Sequence, residues 1–212
     1  MKVLVVCAVP REAEAMHGLS NALVVVSGVG RTNAAIATTR ALIEDGPFDA
    51  VLSVGIAGCL SGADAPLDVG DVVLASESVY HEEGLITSQG FLDTARMGFP
   101  LGAFAGNRIP GSPGLLQRLE GIGRSAVVAT VATCSGTDAA ATDVLQRTGA
   151  SAEAMEGAAV LHAASTFSCP AVEIRVISNT TGDRDGQVWA LDRAFTVLAD
   201  LVSELDGRLQ SR

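Results

Sequence analysis

Two glutamates and one asparagine stand where a chain of this kind can use them for chemistry. Glu12 follows Pro10 in AVPREAEAM (residues 8–16), just past a strand-like run. A carboxylate there is either a solvated residue at a helix N-terminus or a base aimed into a cleft. Glu156 lies in AEAMEGAAVLHAA (152–164), inside an otherwise Ala/Val/Leu helical pattern, between Met155 and Gly157. A lone carboxylate is rarely buried without a hydrogen-bonding purpose, so Glu156 reads as functional. In EIRVISNTTGDRD (173–185), an alternating apolar run (Ile174, Val176) breaks at Ser178-Asn179 into a polar turn holding Asp183 and Asp185. An amide at that strand end cannot deliver a proton, but it can donate a hydrogen bond.

Two glycine-rich stretches invite a ligand reading. VVSGVGRTNAAIA (25–37) has the strand–turn–helix outline of a dinucleotide fingerprint, with Gly28 and Gly30. Asn33 stands where the third glycine should be, and Asp49 precedes its strand instead of ending it. A tight strand-to-helix turn is the better reading, and no cofactor is expected. LSVGIAGCL (52–60) reads as a strand ending in a turn at Gly55 and Gly58, where backbone amides can come close to a ligand.

The elements that must position these residues follow from hydrophobic pattern. Strand-like runs fall at 2–8, 23–27, 49–54, 71–79, 126–133 and 171–178, several of them near-continuous Val/Ile/Leu as in strands covered on both faces. Helical patterns fall near 31–45, 113–120, 137–149, 153–167 and 189–208. The alternation predicts an α/β fold: a three-layer α/β/α sandwich around a central mixed, mostly parallel sheet. With 212 residues the chain is expected to form a single domain, 1–212. Residues 84–112 fit neither pattern and carry Phe91, Phe99 and Phe104, the mark of a lid, binding loop or subunit contact.

Composition removes several classes of function. The formal net charge of −10 argues against nucleic acid or a phospholipid surface as partner. Lys2 is the only lysine, which removes Walker-type phosphate binding and argues against Schiff-base chemistry. The four cysteines have no CxxC spacing, and the three histidines (His17, His81, His162) lack HxxxH or HExxH spacing, so no metal site is expected. The start MKVLVVCAVPREAEAM turns quickly to charge and reads as a buried first strand, not a signal peptide, so a cytoplasmic location is expected.

Taken in order, AxxxE, SGVG, GIAG, DVGDVV, YHEE, MEGAA and RVISN resemble the nucleoside phosphorylase and nucleosidase superfamily over nearly the whole chain. Within it, VPREAEA, MEGAAVLHA and ISN-x-x-GDRD-x-Q-x-W are most similar to the futalosine hydrolase family, which removes hypoxanthine from futalosine in the alternative menaquinone pathway. The resemblance implies a cofactor-free N-glycosidase. By it, Glu12 would take a proton from water, Glu156 would bind ribose hydroxyls with Met155 on the sugar face, and Asn179 would stand where nucleosidases carry an aspartic acid facing purine N7. The phosphorylase turn Arg-Val-Gly-Ser reads Ser53-Val54-Gly55-Ile56 here. The guanidinium is missing and Ile56 replaces the anion-binding hydroxyl, so water is the expected nucleophile.

An acceptor for hypoxanthine N1–H is also needed, with Asp183 and Asp185 as candidates. Trp189 falls at a lid position, and Arg96, Arg108 and Arg184 are candidate cations for the carboxylated tail of futalosine. A homodimer or a multiple of dimers is expected from the apolar loop and from the resemblance. Other readings are a nucleosidase for inosine or methylthioadenosine, and a purine-binding protein without catalysis.

Overall fold

The computed structural model describes residues 1–211. The first four strand runs form β1 (Val3–Cys7), β2 (Ala22–Val26), β3 (Ala50–Cys59) and β4 (Val72–Tyr80). The segment read as a loop holds a hairpin, β5 (Gly84–Thr87) with β6 (Gly90–Asp93), and then β7 (Arg108–Pro110), which pairs with β4. The last two runs form β8 (Arg124–Thr130) and β10 (Ala171–Thr180), with the three-residue β9 (Ala152–Ala154) between them. The helices are α1 (Pro10–Ala15), α2 (Arg31–Glu44), α3 (Pro113–Arg118), α4 (Asp138–Thr148), α5 (Gly157–Thr166), α6 (Leu191–Asp200) and α7 (Val202–Gln210).

Helices cover both faces of the sheet, as strand periodicity requires. Along β1, Val3, Val5 and Cys7 pack with Met16, Leu198 and Leu205 on one face. Leu4 and Val6 point the other way, into a layer with Ala34 and Ala41 of α2 and Ala158, Leu161 and Ala164 of α5. The small residues of α5 let it lie closely between α2 and the strands. Among the described residues, no helix is long and apolar enough to cross a membrane.

The α/β character and the mixed sheet match the sequence-based expectation, but the sheet is not a simple open sandwich layer. β3 pairs with β10, β10 with β4, β4 with β8, β8 with β9, and β9 returns to β3. These five strands close into a barrel-like ring, from which β1 and β2 extend. Closure depends on the length of β3. Val3–Val6 of β1 occupy one edge of its first half, and β9 takes the same edge at Gly58 and Cys59. Gly55 and Gly58 therefore lie inside a continuous strand, not in the turn that the pattern suggested. Glycine within a strand suits a close approach, and here Glu12 and Arg175 come close at Gly55 and Asn179 at Gly58.

Candidate active site

The candidate side chains converge at the C-terminal ends of β1, β3 and β10, in a cleft of 410 Å³. Glu12 is held by the fold before any ligand arrives. Pro10 opens the short helix α1, where its missing N–H costs nothing, and Glu12 lies in the same first turn. Its Oε2 accepts the N–H groups of Ala8 (2.8 Å) and Val9 (3.1 Å), while Oε1 accepts that of Ile56 (3.0 Å). The side chain is 3% exposed. Burial pushes its pKa above the ordinary value, with Arg175 and the backbone donors pulling it back. The result is a buried carboxyl group with one fixed orientation.

Arg175 was not singled out by the sequence reading, and it organises the site. It is 1% exposed. Nε donates to Glu173 Oε1 (2.7 Å), Nη2 donates to Ser53 Oγ (3.1 Å), and Nη2 lies 3.5 Å from Glu156 Oε2. Burial alone would lower its pKa, but Glu173, Glu156 and Glu12 outweigh that and raise it. The guanidinium absent from position 53 is thus supplied by β10. It faces three carboxylates, so it is committed to them. Gly55 makes this possible, because a Cβ there would strike both Glu12 Oε1 and Arg175 Nη1.

Glu156 is the N-cap residue of α5, not an interior helical residue, because β9 takes the first part of the run read as helix. Its Oε1 accepts the Gly30 N–H (2.9 Å), which ties the Gly28–Gly30 turn to the cleft. That turn serves the site without being a dinucleotide fingerprint. Met155 and Ile56 line the cleft.

Asn179 is 8% exposed, and its amide orientation is fixed by its neighbours. Nδ2 donates to the Thr180 carbonyl (2.9 Å), and Oδ1 lies 2.7 Å from Ser178 Oγ, whose single hydrogen is shared between Oδ1 and the Ala57 carbonyl (3.1 Å). The reverse orientation would set two carbonyl oxygens face to face. One Nδ2 hydrogen therefore remains for a ligand. Trp189 pairs with Asn179 through an isolated bridge and stands at the rim, 46% exposed. Its Nε1 donates to Gln187 Oε1 (2.9 Å), and the Arg184 guanidinium stacks 4.7 Å from its ring. Asp183 does not line the cleft. Its carboxylate accepts the Asp138 N–H, and Asp138 accepts the Asp183 N–H, both at 3.0 Å. Of the three candidate arginines only Arg184 lines this cleft; Arg96 and Arg108 lie on another cavity.

A doubly covered α/β sheet curled into a ring thus gathers Glu12, Glu156 and Glu173 around the buried Arg175. The profile of the Phosphorylase superfamily matches residues 3–205, and the chain belongs to that superfamily. Futalosine hydrolase from Streptomyces coelicolor is 35% identical, over 87% of this chain and 78% of its own length. 5'-Methylthioadenosine/S-adenosylhomocysteine nucleosidase from Chromohalobacter salexigens is 31% identical, over 92% and 82%. Among solved structures, a futalosine hydrolase mutant of Helicobacter pylori superposes with a TM-score of 0.76 at 19% identity, covering 97% of this chain and 98% of that one.

Proposed function

We propose that the protein is a cofactor-free N-glycosidase that hydrolyses futalosine to hypoxanthine and dehypoxanthine futalosine, a step of menaquinone biosynthesis. Cleavage of N-glycosyl bonds is the chemistry named for its relatives, and the 35% relative is named for this substrate. The observation that carries the choice of 6-oxopurine is the amide at Asn179. Thr180 takes one Nδ2 hydrogen, so the other is left as a donor toward the cleft. Hypoxanthine presents two neighbouring acceptors, N7 and O6, whereas adenine presents an acceptor and a donor.

In this reading Glu12 takes the proton from an attacking water, and Glu156 accepts hydrogen bonds from the ribose hydroxyls with Met155 and Ile56 against the sugar. Departure of the base leaves a cation-like sugar, which both carboxylates stabilise, and a negative base, which Asn179 stabilises. Asp183, tied to Asp138, has no part in it. Trp189 covers the ligand, and Arg184 beside it is the cation placed to meet a carboxylated tail.

Water is favoured over phosphate by charge. Glu12, Glu156 and Glu173 surround a single guanidinium that already donates to Glu173 and Ser53, so a phosphate dianion would meet net negative charge. We further infer a homodimer or a multiple of dimers acting in the cytoplasm. Ile86 (72% exposed) and Phe99 (71%) of the 84–112 segment are apolar surface that a second copy would cover.

The test is a panel of futalosine, inosine and methylthioadenosine in phosphate-free buffer, with free base followed by chromatography. Fast hypoxanthine release with a free sugar product is expected. A sugar 1-phosphate, or a rate rising with phosphate, would overturn the hydrolytic reading. Preference for methylthioadenosine would favour the second reading, which the 31% identical nucleosidase supports.

A further inference from the structure

One buried carboxylate in the cleft has no part in the scheme above. Glu153, in β9, is 4% exposed and lines the cleft with Asn179. The register relates the two. Gly58 of β3 is paired with Asn179 on one side and with Glu153 on the other. Directly paired residues project to the same face of a sheet. At Gly58 that face carries no side chain, and a Cβ there would come within 2.8 Å of Asn179 Nδ2. The result is a bare floor, bounded by an amide donor on one strand and a carboxylate two strands away. Two strand spacings are about 10 Å. That span takes a flat bicyclic base with a hydrogen bond of about 2.9 Å at either edge.

The carboxylate is also oriented in advance. Oε1 accepts the Ser135 N–H (2.7 Å) and Oε2 accepts the Ser135 hydroxyl (2.6 Å). Two donors leave further lone pairs on an ionised carboxylate, which accepts about four. Asp183, which the sequence offered for this task, is occupied elsewhere.

We propose that Glu153 is the base-reading residue opposite Asn179, accepting the N1–H of a 6-oxopurine. This rests on the 6-oxopurine reading and adds its second contact. Asn179 supplies a donor at the N7/O6 edge, and Glu153 supplies an acceptor at the edge beyond the 6-substituent. Adenine carries an unprotonated N1 there, and a carboxylate facing it would repel its lone pair.

Glu153→Gln separates reading from anchoring. Its carbonyl keeps the Ser135 N–H, its amide can donate to the Ser135 hydroxyl, and its second hydrogen faces the cleft. The loop stays held while the hydrogen-bond sense toward the base reverses. Binding of hypoxanthine, 1-methylhypoxanthine and adenine is measured by calorimetry for the parent, Glu153→Gln and Ser135→Ala. The parent is expected to bind hypoxanthine about 10- to 100-fold tighter than its 1-methyl analogue, as for a hydrogen bond to a charged group. Glu153→Gln should lose that discrimination and shift the hypoxanthine-to-adenine ratio toward adenine, while Ser135→Ala keeps the discrimination. Equal weakening of all three bases in both variants would reduce Glu153 to a loop anchor and overturn the proposal, leaving the 6-oxopurine reading intact. A parent that prefers adenine would overturn that reading and this one together.

Discussion

Replacing Arg175 by Gln tests whether the buried cation sets the protonation of Glu12. A Cβ at Gly55 would touch both groups, so they face each other across one empty position. A unit-charge pair about 5 Å apart is worth about 3 kcal/mol at an effective dielectric near 20, or about 2 pKa units. Burial has already raised Glu12 above 4.5, and Arg175 opposes that rise. Removing the arginine should therefore raise the Glu12 pKa further. The base stays protonated to higher pH, and the acidic limb of kcat/KM for the purine nucleoside should move up by about 1–3 units. Stability should fall by about 3–5 kcal/mol at neutral pH, because three carboxylates lose their shared partner. A carboxyl whose folded pKa is raised contributes its stability below the unfolded value and loses it as pH rises through the folded one. The deficit of the variant should accordingly shrink as pH falls through the raised folded pKa of Glu12 toward its ordinary value of 4.5. Arg175→Lys keeps the charge without the fork, and should move the limb much less than Gln does. The assay is base release across pH in phosphate-free buffer, alongside urea denaturation at pH 4 and pH 7. An unmoved acidic limb in a folded Arg175→Gln protein would refute the reasoning.

Glu12→Gln should lower kcat by roughly 10²–10⁴ and also cost about 1–3 kcal/mol in urea denaturation, since the amide cannot accept all three backbone N–H groups. Gly157→Ala should destabilise by about 1–3 kcal/mol or more, because the added Cβ falls on the Glu173 carboxylate. Chemical denaturation measures it, and parent-like stability would mean that α5 can shift freely. Asn179→Asp should lower futalosine turnover, with recovery toward acid, because one carboxylate oxygen would face the Thr180 carbonyl that Nδ2 now meets. Rates for futalosine and its 6-amino counterpart decide it, and an unchanged ratio would mean that Asn179 does not read the base.

The strands were legible because apolar runs announced them, and the six expected runs are six of the strands found. What escaped was short or polar. β9 is only Ala-Glu-Ala, with no β-branched or aromatic residue, and it merged into the Ala-rich helix that follows. α1 has six residues, too few to show a period. The run at 189–208 was read as one helix, whereas α6 and α7 abut at Leu201. Glu173 and Arg175 alternate with Ile174 and Val176, which looks like a strand with one wet face. Both faces of β10 are in fact buried, and the polar face is the one turned toward Glu12 and Glu156. Alternation reports two faces; it does not say that one of them meets water.

Ring closure explains why the two least legible features belong together. In an open sheet, β3 would leave an edge free at Gly58 and Cys59, and the chain before α5 would be a loop. Pairing β9 there fixes two acids at once: Glu153 in the strand, opposite Gly58, and Glu156 as the cap of the helix that follows. On the other edge of β3 the parallel partner β10 carries Arg175 opposite Gly55 and Asn179 opposite Gly58. The two glycines of GIAG are thus the positions beside which β10 carries its site residues: Arg175 faces Glu12 across Gly55, and Gly58 stands between Asn179 on one strand and Glu153 on the other. A side chain at either would separate the groups. The motif that reads as a backbone turn for a ligand is instead a continuous strand bare of side chains where the site residues approach.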